Sequence, residues 1–133
     1  QAVRRRLYLN HTDIKMLFKV NPESDVYLAE RSLQKITKSI LFHCFPDGLC
    51  VSGVSAGSET DDDILKDVKA VADSVPVFCN TGCTAQNVAQ KLSVVDGVCV
   101  GTAFKKDGKF ENQVELQRVV EFMDAVRAYR ATK

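Results

Sequence analysis

Four apolar, strand-like runs alternate with segments whose apolar residues recur at helical spacing, and this alternation limits the folds open to the 133-residue chain. A helix after each strand returns the chain to the start of the next one, so the pattern predicts parallel strands with right-handed crossovers. The predicted strands are residues 13–20, 47–52, 75–79 and 96–100. The predicted helices are 31–44, 61–73, a short one that carries Val88, Ala89 and Leu92, and 114–129, with the end of an earlier helix at 1–9.

Four consecutive βα units predict an α/β fold and favour the C-terminal half of a TIM-like (βα)8 barrel. A flat, doubly wound sheet of four strands is the alternative. The chain lacks the GxGxxG motif of the dinucleotide-binding form of that sheet, so we expect no cofactor. The sequence DGLCV at 47–51 recurs as DGVCV at 96–100, which indicates similar turns into similar buried strands.

Residues 1–133 contain no linker or low-complexity tract, so they are predicted to form a single domain. A half-barrel on its own would expose two strand edges and an apolar concave face. We therefore expect either a homo-oligomer or, as the favoured alternative, a longer polypeptide whose N-terminal half completes the barrel.

Composition excludes two classes of partner. The formal net charge of +1 gives no electrostatic basis for binding nucleic acid, and no apolar stretch approaches the ~20 residues that span a bilayer. The five cysteines lack zinc-site spacing, which favours free thiols, a reducing compartment and a cytoplasmic location. Cys83 lies at a predicted helix N-terminus, where a thiolate is stabilised, and whether it is reactive stays open.

The first predicted strand supplies the candidate catalytic residues. Its apolar positions 14, 16, 18 and 20 form one face, which should pack against helices. The other face directs Lys19 and Asn21 to the carboxyl end of the strand, where barrel enzymes carry their active sites, and Glu23 follows with the same parity. We predict Lys19, Asn21 and Glu23 as catalytic, since an amine and a carboxylate there can act as anion contact, Schiff-base nucleophile or general base. The alternative is a Lys19–Glu23 ion pair that closes the barrel.

Small residues follow the last three predicted strands. Glycine lets backbone N–H groups approach an anion closely, and the loops after the last two strands of a barrel are the usual place for a substrate phosphate. A phosphorylated small molecule is therefore the predicted ligand. The predicted phosphate-binding residues are Ser52, Gly53, Thr81, Gly82, Gly101 and Thr102.

Three consecutive aspartates at 61–63 resemble metal-binding material, but helix capping explains them better. Thr60 is the predicted N-cap of the helix that begins there, and acidic residues in a first turn complement the helix dipole. His11 and His43 lie at the wrong ends of their segments to meet near a barrel active site. We predict no metal site.

Several longer stretches carry a resemblance to one protein family. They are KMLFKVNPESDVYL at 15–28, PDGLCVSGVSAG at 46–57, NTGCTAQNV at 80–88 and LSVVDGVCVGTAFKKDG at 92–108. These stretches resemble the C-terminal half of the BtpA family, most closely its SgcQ-like bacterial branch. The resemblance covers nearly all residues and implies a TIM-like barrel whose N-terminal half is absent from this sequence.

The resemblance implies two functions of different classes. BtpA-like members are linked to photosystem I biogenesis, whereas SgcQ-like members look like enzymes of a sugar pathway. We expect an isomerase or lyase that acts on a phosphorylated small molecule, either a sugar phosphate or a nucleoside-related compound. The alternative is a non-catalytic assembly or stability factor. The family pattern of Asp, Lys and His near the first strand is replaced here by Lys19, Glu23 and Ser24, which weakens the photosystem interpretation.

Overall fold

The computed structural model describes residues 1–22, 24–25, 27–55 and 57–133 of the chain. Helices and strands alternate along these residues as the apolar pattern predicts. In chain order they are α1 (Ala2–Tyr8), β1 (Leu17–Lys19), α2 (Leu33–Cys44), β2 (Gly48–Val51), α3 (Asp62–Lys69), β3 (Val77–Cys79), α4 (Val88–Val94), β4 (Gly97–Val98) and α5 (Leu116–Arg130). Two 3-10 turns, Thr102–Phe104 and Lys106–Gly108, lie between β4 and α5.

The four strands form one parallel sheet whose spatial order is the sequence order, β1-β2-β3-β4. A doubly wound sheet reverses direction partway through its strand order, whereas a barrel adds each strand beside the previous one. The predicted half of a TIM-like barrel is therefore confirmed over the flat alternative. Each strand is shorter than its apolar run, because only residues opposite a neighbouring strand join the ladder.

One face of the sheet packs against the helices. Val20 beyond β1, Leu49 and Val51 of β2, and Val77 of β3 are all buried in one apolar core. From the helices, the core receives Leu65, Val68, Val88, Phe122 and Val126. The predicted outward direction of the apolar face is thus confirmed at Phe18 and Val20, whereas Ile14, at the start of the predicted strand, is 54% exposed and lies outside the core. Among the described residues, no helix combines the length and hydropathy needed to cross a bilayer.

The concave face of the sheet is organised around the ring of Phe78 in the middle of β3. The neighbouring strands have glycine beside it. A Cβ atom on Gly97 would lie 2.7 Å from the ring, and one on Gly48 would lie 2.9 Å from it and 2.5 Å from Leu17. The Phe78 ring therefore covers parts of β2 and β4 as well as its own strand. Glycine is required at positions 48 and 97 because the ring occupies the space that a side chain would need there.

The repeated Asp-Gly pair has a structural cause at the amino ends of the strands. Asp47 accepts hydrogen bonds from the Met16 amide at 2.8 Å and from Arg6 at 2.6 Å. Asp96 likewise accepts from the Val77 amide at 2.8 Å and from Lys69 at 2.6 Å. Each aspartate thus joins the preceding strand to a basic residue of an earlier helix.

These contacts lower the pKa of both carboxyl groups. At Asp47 the main cause is the hydrogen bond from the Met16 amide, followed by the one from Arg6. At Asp96 burial opposes ionisation, but the hydrogen bonds from Lys69 and the Val77 amide outweigh it. The repeat lies at the end of the sheet where barrels carry stabilising residues, opposite the predicted active site.

A substitution at Gly97 tests how closely Phe78 is packed. Gly97→Ala in the full-length protein should lower the free energy of unfolding by about 1–3 kcal/mol, because Gly48 on the other side leaves the ring no room to move away. Phe78→Leu in the same chain should recover part of the loss. The matched control is Gly101→Ala, where a Cβ atom meets nothing within 4 Å. Equal effects at the two glycines in urea unfolding would contradict this account.

Candidate functional site

A cavity of about 460 Å³ lies at the carboxyl ends of β3 and β4. The loop after β3 supplies Thr81, Gly82 and Cys83, and the loop after β4 supplies Gly101 and Thr102. The first turns of α5 close the far side with Arg118, Glu121 and Phe122. Four of the six predicted phosphate-binding residues therefore line one cavity.

The two glycines of this cavity have different physical roles. Gly82 has a φ of +72°, and a Cβ atom there would lie 2.3 Å from the Ser58 carbonyl oxygen, so its size lets the loop after β2 cross directly over it. Gly101 faces open space, with nothing within 4 Å of the position of a Cβ atom. Gly82 thus makes room for the loop after β2, whereas Gly101 is an exposed residue of the cavity wall with open space beside it.

The hydroxyl of Thr81 holds two loops together. Its Oγ1 accepts the Gly53 amide at 2.7 Å and lies 3.2 Å from the hydroxyl of Thr60, which also donates to the Thr81 carbonyl at 3.1 Å. Ser52 is fully buried, and its hydroxyl accepts from Asn80 at 3.0 Å. Ser52 and Gly53 lie outside the cavity wall and fix the loop after β2 against the loop after β3.

Two of the three predicted catalytic residues, Lys19 and Asn21, lie on β1 and just beyond it, and neither lines the cavity. Asn21 uses both ends of its amide on the Ser52 backbone, donating to the carbonyl at 2.7 Å and accepting the N–H at 2.9 Å. It therefore extends the contact between β1 and β2 to Ser52, two residues beyond the Lys19–Cys50 pair. Lys19 is exposed and pairs with Cys50 of β2 in the register of the sheet. Its side chain is engaged in an interaction, so it is not a free amine. Glu23 lies outside the described residues.

The loop after β2 is anchored by Lys91 of α4, a residue that the sequence analysis missed. Lys91 is 1% exposed, and its Nζ donates to the Thr60 carbonyl at 2.7 Å, to Asp62 at 2.7 Å and to Glu59 at 2.8 Å. Burial disfavours the ammonium, but the hydrogen bonds to the two carboxylates outweigh it and raise the pKa of Lys91. A lysine in an apolar helix pattern gives no sign of this role, since it reads as an exposed residue.

The aspartates at 61–63 cap and anchor α3. Asp61, not Thr60, is the N-cap, with its side chain accepting the Asp63 amide at 2.8 Å. The predicted cap at Thr60 is wrong because that hydroxyl is buried against Thr81. Among the described residues, no three His, Cys, Asp or Glu side chains lie close enough together to hold a metal ion.

Arg118 is the cationic side chain of the cavity wall, and the sequence analysis missed it as well. Its Nε donates to Glu115 at 2.7 Å, and the side chain is 38% exposed. Lys105, which follows β4 in the sequence, instead directs its amine to the Phe110 carbonyl and ring. The apolar pattern of α5 predicts only that this helix packs against the core. Nothing in the sequence therefore marks Arg118 as a residue of the site.

The cavity wall is held rigid from behind. Asn87 accepts the Thr84 amide at 2.8 Å and donates to the Gly82 carbonyl at 3.0 Å, which fixes the loop between β3 and α4. The rings of Phe104 and Phe122 meet edge to face with centroids 5.2 Å apart. These contacts fix the loop after β3 against the start of α4 and join the turn after β4 to α5.

Two thiol pairs lie near the cavity. The Sγ atoms of Cys79 and Cys83 are 3.3 Å apart, and both residues are buried. The Cys83 thiol lowers the pKa of Cys79 to about 7, while this pairing and burial raise that of Cys83. On the concave side, a hydrogen bond from Cys50 lowers the pKa of Cys99 to about 6. The helix N-terminus thus does not make Cys83 the acidic thiol of its pair.

Comparison with known proteins identifies the family. A model of the BtpA family matches residues 1–128, so the chain belongs to the BtpA family. It is 42% identical over 130 residues to the putative sgc region protein SgcQ of Escherichia coli, covering 98% of this chain and 48% of that protein. It is 29% identical over 80 residues to the photosystem I biogenesis protein BtpA of Synechocystis, covering 60% of this chain and 28% of that protein. The chain therefore spans less than half the length of either relative.

A solved structure shares the fold. The N-(5'-phosphoribosyl)anthranilate isomerase of Pyrococcus furiosus superposes on 96% of this chain with a TM-score of 0.60. The match covers 57% of that chain at 17% sequence identity. At this identity the likeness extends to the arrangement of βα units and not to the chemistry.

Removing the buried ammonium should loosen the loop that crosses Gly82. Lys91→Met in the full-length protein should lower the free energy of unfolding by about 3 kcal/mol, because Asp62 and Glu59 lose their partner. Lys66→Met is the matched control, since its ion pair with Asp63 is exposed and should contribute less than about 0.5 kcal/mol. Similar midpoints in urea for the two variants would contradict the anchoring role of Lys91.

The same ion cluster predicts a pH dependence. The hydrogen bonds from Lys91 and Gln90 lower the pKa of Asp62, so its stabilising effect is complete above the pKa of the unfolded chain, about 3.9. That effect is lost as pH falls through the lower pKa of the folded state. The difference in unfolding free energy between the natural protein and Lys91→Met should therefore shrink below about pH 4. A difference that stays constant down to pH 2 in urea unfolding would show that Asp62 is not the partner.

Proposed function

We propose that this BtpA-family protein binds the phosphate group of a phosphorylated small molecule in the cavity at the ends of β3 and β4. The observation that carries the proposal is that Gly101, where a Cβ atom would meet nothing within 4 Å, lines the same cavity as the side chain of Arg118. An arginine guanidinium is well suited to a phosphate because its N–H groups form a planar fork. Thr81, Gly82, Gly101 and Thr102 form the rest of the phosphate site, and Ser52 and Gly53 position its loops.

Backbone groups at this position support an anion. Within the described part of the chain, the N–H groups of Gly101 and Thr102 donate to no protein acceptor. Unpaired backbone N–H groups beside a cationic side chain are a common arrangement for binding phosphate. Glu121 also lines the cavity, and its carboxylate is drawn toward Gln117 by a hydrogen bond of 3.1 Å.

The size of the cavity supports a ligand larger than inorganic phosphate. Its volume of about 460 Å³ lies within the range of small-molecule sites, and Phe104 and Phe122 give it an apolar side. A sugar phosphate or a nucleoside-related compound matches this combination of polar and apolar walls. We propose these as the substrate class.

The reacting part of the substrate would extend toward β1. Lys19 is exposed at the carboxyl end of that strand and is the proposed amine of the reaction, with Glu23 as its acid–base partner. Asn21 is proposed to hold the loop at this place, since both ends of its amide are used on Ser52. The reaction type that we propose is an isomerisation or a lyase reaction.

The cellular setting belongs to the same proposal. All five cysteines are free, which supports a reducing compartment such as the cytoplasm. The barrel is proposed to be completed by a further half, either in the same polypeptide or in a second copy. The fit of the half-barrel to about half of the longer relatives supports the first arrangement.

A role as an assembly factor is the second candidate function. Similarity to the photosystem I biogenesis protein BtpA of Synechocystis supports it over 60% of this chain. This role predicts an unfilled cavity and a protein partner, so the two candidates differ in whether the cavity binds phosphate.

Calorimetric titration of the full-length protein with inorganic phosphate and a pentose phosphate tests the proposal. Arg118→Ala should weaken phosphate binding by roughly 10-fold or more, since a charged hydrogen bond contributes about 1.5–3 kcal/mol. Arg127→Ala is the matched control, because Arg127 forms the same type of ion pair with Asp124 on α5 but lies outside the cavity wall. Equal affinity in both variants would exclude Arg118 from the site, and a natural protein that binds neither probe would favour the assembly factor.

Gly101→Val gives the second arm of the same experiment. The variant should keep its stability, because the new side chain enters open space, and should lose phosphate binding by filling that space. Gly82→Val is unsuitable for this purpose, since it would displace the loop at Ser58 and lose binding through misfolding. A Gly101→Val protein that binds phosphate normally would contradict the assignment.

A further inference from the structure

The side chains of Cys79 and Cys83, which are four residues apart in the sequence, are in contact. Their sulfur atoms are 3.3 Å apart, across the turn in which Gly82 adopts a φ of +72°. A disulfide has an S–S length of about 2.05 Å, so the sulfur atoms need to approach by only ~1.3 Å to bond. Cys79 ends β3 and Cys83 precedes α4, so this bond would close the turn that joins strand and helix.

A small oxidant can reach this pair through the cavity. Cys79 and Cys83 are 0% and 2% exposed, so neither sulfur is open on the outer surface. Cys83 nevertheless forms part of the cavity wall, beside Gly82 and Thr84. The cavity therefore extends as far as Cys83, and the sulfur of Cys79 lies 3.3 Å from the sulfur of Cys83.

The environment favours a thiolate in the pair. The Cys83 thiol donates its hydrogen bond to the Cys79 sulfur, which lowers the pKa of Cys79 to about 7 against the effect of burial. The charge of Lys91 acts in the same direction. A thiolate is the nucleophile in reactions of cysteine with peroxides, and the hydrogen bond between the two sulfur atoms lets the charge lie on either of them. Cys83, which lines the cavity, is therefore the attacking group, and Cys79 is the resolving group.

We propose that Cys79 and Cys83 form a reversible intramolecular disulfide when the protein meets a hydroperoxide, which makes the turn between β3 and α4 a redox modification site. The thiolate attacks the terminal peroxide oxygen, so that an S–O bond forms and the O–O bond breaks, and the alkoxide that leaves takes a proton from solvent to become an alcohol, or water when the oxidant is hydrogen peroxide. The second thiol loses its proton and attacks that sulfur, so that the S–S bond forms, the S–O bond breaks and water leaves. Two thiols are oxidised by two electrons, and one hydroperoxide is reduced to an alcohol and water.

The disulfide also has a consequence for the cavity. Closing the bond draws Cys83 toward β3 and moves the wall beside Gly82, so ligand binding should differ between the reduced and oxidised proteins. This consequence rests on the proposed function, whereas formation of the bond does not.

Peptide mapping of the full-length protein after brief treatment with hydrogen peroxide tests the proposal. Trypsin releases residues 70–91 as one peptide that contains Cys79 and Cys83 and no other cysteine. After alkylation, this peptide should be recovered mainly without alkyl groups and with two hydrogens fewer than its reduced form, and dithiothreitol should restore it. A Cys50–Cys99 disulfide would instead link the peptides 39–66 and 92–105, so the two pairs are distinguished directly.

The outcomes are separate from those of the phosphate titration. A peptide 70–91 that carries two alkyl groups after treatment, or that passes to sulfinic acid without losing two hydrogens, would overturn the proposal. Cys79→Ser should leave Cys83, at the cavity wall, as a sulfenic acid that dimedone traps, whereas Cys44→Ser should leave the disulfide yield unchanged. Because the natural protein alone decides whether the bond forms, the test does not depend on the folding of either variant.

Discussion

The buried ammonium of Lys91 is the interaction on which the carboxyl end of this sheet depends. It ties the loop after β2 to α4 through the Thr60 carbonyl and the carboxylates of Glu59 and Asp62. With that loop fixed, Ser58 and Glu59 lie directly on Gly82, and Thr60 meets Thr81. The position of the cavity wall therefore depends on the buried ammonium of Lys91. That ammonium is stable in the interior only because it donates to three oxygen atoms.

The residues near the carboxyl end of the sheet have two roles: some hold the loops in position, and others line the cavity. Asn21, Ser52 and Thr81 use their hydrogen-bonding groups on neighbouring loops, so they set positions. Gly101 and Arg118 line the cavity, so a ligand in the cavity can contact them. A barrel needs both kinds, since loops that hold a small anion must themselves be held in place.

Much of the architecture follows from the sequence because backbone pattern and packing direction are local properties. The order of strands and helices and the outward face at Phe18 and Val20 were predicted from periodicity. The half-barrel was favoured over a flat sheet with the support of the missing GxGxxG motif and of the resemblance to the BtpA family. Contacts between distant residues were not: Thr60 was expected to cap α3, but it is buried against Thr81, and Asp61 is the cap. Either residue type can cap a helix, and only the approach of the loop after β3 decides between them.

Four βα units, their parallel strands and the small residues at one end of the sheet could be derived from the sequence, because the periods of strands and helices depend on neighbouring residues. The roles of those small residues depend on contacts between distant loops. Gly82 and Gly101 occupy similar places in their loops, yet one is pressed against the Ser58 carbonyl and the other borders open space. Neither Arg118 nor Lys91 belongs to a recognisable pattern in the sequence. The packing of α5 brings Arg118 to the cavity, and the packing of α4 buries Lys91. The position of a side chain among distant loops depends on how the units pack, which no local period specifies.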